Sequence, residues 1–133
     1  MNNLAVIYEG QKQYDSAFYY YQMAYKISPN EKSLKQNISN LFYNKGLQAS
    51  FNNNKNLAIE EYRKSIEYGP ENVMAINNIA SLHAGNNQLD SCLYYLKMGY
   101  SIEPSNMMIL ENIAAISYLN KNYSQAIEFA NKA

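Results

Sequence analysis

Apolar residues recur every three or four positions through most of this chain, in long runs broken by short polar stretches. In VMAINNIASL, Val73, Ile76, Ile79, Ala80 and Leu82 carry the spacing of one side of a helix. Polar punctuation separates such runs: QKQ at 11–13, NNNKN at 52–56, GNNQ at 85–88 and NKN at 120–122. A second amphipathic run follows each, such as AIEEYRKSIEY or SCLYYLKMGYSI. The pattern predicts helices near 2–11, 14–27, 32–51, 55–68, 72–85, 88–101, 106–119 and 122–132. Pro29, Pro70 and Pro104 block continuation of the second helices. Pro70-Glu71 and Pro104-Ser105 are expected to open the next helix, where a missing N–H costs nothing.

The helices repeat in pairs. Pro70 and Pro104 lie 34 residues apart, and Pro29 and Pro70 lie 41 apart. NNIASLH (77–83) returns as ENIAAIS (111–117), and NNLAVIY (2–8) is the same phrase, with a weaker copy at NKGLQA (44–49). Small residues Ala5, Gly46, Ala80 and Ala114 keep intervals of 41, 34 and 34, as do Ala17, Ala58, Cys92 and Ala126. The extra seven residues fall between Pro29 and Phe42. Seven residues are about two turns, so they lengthen helix 32–51 without rotating its apolar face far.

On these residues the chain resembles a tetratricopeptide-repeat (TPR) protein, whose 34-residue pattern sets Leu-Gly, Tyr, Ala, Phe or Tyr and Pro at fixed offsets. The first unit carries Leu4-Ala5, Tyr8, Tyr14, Ala17, Tyr21, Ala24 and Pro29. The second carries Phe42, Gly46, Ala58, Tyr62 and Pro70, and the third Ile79-Ala80, Cys92, Leu96, Gly99 and Pro104. Ile113-Ala114, Tyr123 and Ala126 begin a fourth. Departures are Lys45 where Leu is usual, Ala49, His83 and Ser117 where Tyr is usual, and the insert. The resemblance implies an all-α, right-handed solenoid of antiparallel helix pairs. Its units are 1–31, 39–72, 73–106 and 107–133, with 32–38 a helix-extending insert. Both ends read as cut within helices, so the expectation is a fragment of a longer repeat protein, or a chain that covers its ends by self-association.

Composition narrows the partners. Lys plus Arg equals Asp plus Glu, 11 each, which leaves no basic field for nucleic acid or anionic lipid. No apolar run reaches the ~18–20 residues of a membrane span. MNNLAVIYEG lacks the features of a signal peptide, and a lone cysteine suits a reducing compartment, so the expected location is cytoplasmic. Asparagine is abundant, with 20 residues, and clusters such as NNN at 52–54 sit between the apolar segments, where turns account for them.

His83 and Cys92, the single histidine and cysteine, invite a catalytic reading. Register places both between paired helices, His83 at an aromatic slot and Cys92 at a packing-alanine slot, so structural packing is the preferred account. One His and one Cys give too few ligands for a metal, and no cofactor or enzyme motif is present. Glu60 and Glu61, followed by Arg63 and Lys64, read as a solvated, charge-paired helix face. Phe18 and Tyr19 to Tyr21 read as core and outer-helix packing.

The constellation that suggests function is Asn3, Asn44, Asn78 and Asn112, again at 41, 34 and 34. In TPR proteins the first helix of each pair lines the concave groove, and asparagines at this slot reach a bound peptide's backbone. A carboxamide offers one donor and one acceptor side, matching a peptide unit. The competing account is that Asn is common throughout the chain. The resemblance extends the lining to Asn2, Val6, Glu9, Asn40, Tyr43, Leu47, Ser50, Met74, Asn77, Ser81, Ala84, Met108, Glu111, Ala115 and Tyr118. No Lys or Arg occupies these slots, which disfavours a carboxylate clamp. The expectation is a scaffold binding a neutral, partly apolar peptide or helix, with Asn3, Asn44, Asn78 and Asn112 for backbone contacts, Tyr43, Met74, Met108 and Tyr118 as side-chain pockets, and Asn40, Asn77 and Glu111 also in the groove. A regulatory or sensory segment of a larger signalling protein and a self-associating structural repeat remain the alternatives.

Overall fold

The computed structural model describes residues 2–133, and among them eight helices and no strand. They are α1 (Asn2–Gly10), α2 (Tyr14–Ile27), α3 (Lys32–Phe51), α4 (Lys55–Tyr68), α5 (Val73–Gly85), α6 (Leu89–Ile102), α7 (Met107–Leu119) and α8 (Tyr123–Lys132). Consecutive helices pack as pairs, and the chain divides into two compact units, one ending at Asn72 and the other Val73–Ala133.

The turns inside pairs share one device. Lys12, Asn53, Asn87 and Lys121 adopt φ of 58–59°, at the same 41, 34 and 34 spacing as the rest of the repeat. Each ends its first helix in a left-handed residue, so the next N–H can turn back five positions. Gln13 N–H donates to the Tyr8 carbonyl, Asn54 to Ala49, Gln88 to His83 and Asn122 to Ser117, at 2.8–2.9 Å. Asparagine tolerates this conformation better than lysine does. Other asparagines cap: Asn54, Asn106 and Asn122 accept from the backbone N–H three residues on. Five of the 20 asparagines thus serve as turn or cap residues.

Pro70 and Pro104 do not open the helices that follow them. Each lies in a turn, and α5 and α7 begin three residues later, at Val73 and Met107. The Asn106 carboxamide, rather than the proline, starts α7 by accepting from Ile109 N–H.

In the first unit the core joins Ala5, Ala17, Tyr21, Leu34, Ile38, Leu41 and Phe42. α3 has 20 residues against 13 in α5 and α7, so it is longer by seven. The added turns bury Leu34 and Ile38 in this core. They also deliver Ser39 to a buried polar cluster at the end of α4. Ser39 Oγ donates to the Ser65 carbonyl at 2.8 Å, and Asn72 Nδ2 reaches Ser39 Oγ at 3.2 Å and Ser65 Oγ at 3.0 Å. Gly69 completes the fit, because a Cβ there would sit 2.5 Å from Ser39 Oγ.

The second unit is built on Val73, Ala80, Cys92, Leu93, Leu96, Ile109, Leu110, Ile113 and Phe129. α5 and α7 meet at Gly99 of α6, where a Cβ would lie 3.6 Å from Ile76 and 3.1 Å from Ile109.

Candidate functional site

Cys92 belongs to this core, and His83 is buried too. The His83 ring stacks on Tyr95 with centroids 5.5 Å apart and planes at 10°. Tyr8 stacks on Tyr20 in the same way, 5.3 Å and 4°, at equivalent slots in the first unit. The histidine thus replaces a tyrosine in a stack that the fold builds elsewhere. Its Nδ1 lies 2.7 Å from Gln88 Oε1, which pins the ring. Cys92 is buried, and burial raises its thiol above the ordinary range, which suppresses the nucleophilic thiolate.

Glu60 and Glu61 separate. Glu60 is exposed and pairs with Lys64 at 2.8 Å, as a solvated face requires. Glu61 is not on that face: it is 4% exposed, with Lys64 Nζ 3.4 Å from Oε1 and Lys45 Nζ 3.9 Å from Oε2. The repeat explains the correction. Glu61 stands where the other units place Tyr20, Tyr95 and Phe129, and Lys45 stands where they place Leu4, Ile79 and Ile113. Two apolar slots of one unit have been exchanged for opposite charges, and Lys45 also reaches Asp15 of α2 at 3.4 Å. Both departures are visible in the sequence; the signal is that they occur together.

The first-helix faces differ between the units. On α1, Glu9 is spent internally: Oε1 accepts from Asn44 Nδ2 at 2.9 Å and Oε2 from Tyr21 OH at 3.0 Å. Asn2 Oδ1 accepts from Asn37 Nδ2 at 3.3 Å, and Asn40 from Gln36 at 3.2 Å. Asn3 is exposed, while the half-buried Tyr43 ring packs 5.8 Å from Tyr62. An open cavity of about 640 Å³ runs past Asn44, Leu47 and Tyr14 to Phe51, a residue that is 92% exposed.

In the second unit, α5 and α7 carry large apolar side chains on their exposed faces. Met74 and Met108 occupy the same slot 34 residues apart and are 60% and 52% exposed; Tyr118 is 63% exposed. Glu111, Asn112, Ala115 and Ser81 are exposed with them, and Asn77 and Asn78 are half-buried. Asn77 Oδ1 is buried and makes no hydrogen bond among the described residues.

These helix pairs have solved counterparts. MamA matches at a TM-score of 0.67 with 14% identity, covering 96% of this chain and 91% of that one. YrrB, described as a TPR protein with an unusual peptide-binding site, matches at 0.61 with 15% identity over 98% and 81%. The fold is the tetratricopeptide repeat. PilF of Pseudomonas aeruginosa shares this TPR fold at 0.61 and 17% identity, over 96% of this chain and 55% of that one. Among curated proteins, the human protein O-mannosyl-transferase TMTC1 is 26% identical over 125 residues, which are 94% of this TPR chain but 14% of the relative. No protein-family profile matches. No helix among the described residues is long and apolar enough to cross a membrane.

Proposed function

We propose that this TPR chain is a protein-interaction scaffold that holds a partly apolar segment of a partner protein against the first helices of its pairs. The observation that carries this reading is the face of α5 and α7. Met74 and Met108 are exposed at one repeated slot, with Tyr118 exposed on the same helix as Met108, while the opposite sides of these helices are packed. Unbranched, polarizable Met and amphipathic Tyr are suited to contact surfaces that adapt to a ligand. Amides beside them supply donors and acceptors for a peptide backbone. That YrrB is described as having a peptide-binding site supports the same use of the fold.

Replacing the methionines with a photo-reactive analogue tests this directly in cells. The account predicts cross-links to partner proteins at Met74, Met107 and Met108. Cross-links concentrated at Met23 and Met98, which lie on second helices, would contradict it.

A further inference from the structure

Of the two carboxylates that the register places on first-helix faces, one is open. Both oxygens of Glu9 accept hydrogen bonds from within the first unit. Glu111 of α7 is exposed and makes no hydrogen bond or ion pair among the described residues. It stands one turn from Met108, three residues and ~4.5 Å along the helix axis, and one further turn separates it from Ala115. Neither α5 nor α7 contains a lysine or arginine, and the histidine of α5 is buried in its stack with Tyr95. The charges on the helices behind this face are Asp90 and Lys97 on α6 and Glu128 and Lys132 on α8; Glu128 and Lys132 pair with each other at 2.6 Å. The face therefore combines exposed apolar anchors with a single uncompensated negative charge.

We infer that the α5–α7 face selects a short partner segment carrying an arginine or lysine about one helical turn's distance from a bulky apolar residue. The apolar residue seats against Met74 and Met108, and the cation pairs with Glu111. Arginine suits the contact better, because its planar guanidinium can engage the carboxylate through two N–H donors while its stem covers the methionines. This inference rests on the scaffold reading and adds the charge of the ligand to it. An exposed pair of this kind contributes more to choosing among partners than to raw affinity.

The test is selection of a random 12-residue displayed peptide library on the intact chain, with affinities of the enriched peptides then measured by fluorescence anisotropy. The expected result is enrichment of basic residues beside Leu, Ile, Phe or Met. The affinities should fall about tenfold in Glu111→Lys and lose most of their salt dependence in Glu111→Gln. Neutral or acidic peptides that bind Glu111→Lys equally well but lose Met74→Ser/Met108→Ser would overturn the charge inference and leave the scaffold reading standing. No enrichment, or binding that ignores all these variants, would overturn both.

Discussion

The Tyr62 ring of α4 lies so close to the Gly46 backbone of α3 that a Cβ on residue 46 would come within 2.5 Å of two ring carbons. Tyr62 is fully buried, so the ring has little room to withdraw. Gly46 is the one glycine in a slot that holds alanine in the other three units. Substituting alanine normally favours a helix interior by up to about 1 kcal/mol, but forcing a methyl into a packed core costs about 1–3 kcal/mol. Overpacking should win: Gly46→Ala lowers the urea midpoint. At Gly85 nothing lies within 4 Å of a new Cβ. Gly85→Ala should leave the midpoint unchanged or raise it slightly.

The Lys45–Glu61 pair predicts a non-additive double-mutant cycle. Lys45→Leu alone leaves Glu61 with Lys64 as its remaining cation, and should cost about 1–2 kcal/mol. Glu61→Phe alone leaves Lys45 with Asp15. The double variant, which returns both slots to the apolar type of the other units, should be as stable as the parent or more so. Urea unfolding of the four proteins gives the coupling energy; strict additivity would show that the two residues act independently.

The four left-handed turn residues make a second stability series. Lysine tolerates this conformation less well than glycine or asparagine, so Lys121→Gly should stabilise the second unit by about 0.5–1 kcal/mol. Asn87→Val, which puts a β-branched residue at the same backbone angles, should destabilise by a comparable or larger amount. Thermal unfolding followed by circular dichroism reads both.

Cys92 should be a reporter of unfolding. Its thiol is buried and poorly ionised, so a disulfide reagent at neutral pH should react with native protein far more slowly than with unfolded chain. Raising urea toward the midpoint should accelerate labelling in step with the unfolded population. Rapid labelling without denaturant would mean that α6 opens independently of the core.

Helix positions were legible because the 3.6-residue period and the repeat report the same thing twice. All eight helices lie within two residues of the spans that the pattern predicts, including the long α3. Roles that depend on two slots meeting were harder to see. Glu61 reads as exposed from its neighbours on α4, and its burial becomes intelligible once Lys45 of α3 joins Lys64 of its own helix beside the carboxylate. Asn44 lines a first-helix face by register, yet a glutamate 35 residues away occupies its amide. A single-helix pattern records which way a side chain points, not whether a neighbouring helix has already taken its hydrogen bond.

The measurement that bears most directly on the scaffold account is the affinity of a cross-linked partner for two variants of the intact chain. Met74→Ser/Met108→Ser alters the first-helix face, and Tyr94→Ser alters an exposed tyrosine on α6. The account predicts at least tenfold weaker binding to the first and unchanged binding to the second, with both variants retaining full helicity. Equal affinity for Met74→Ser/Met108→Ser and the parent, with loss in Tyr94→Ser, would contradict it.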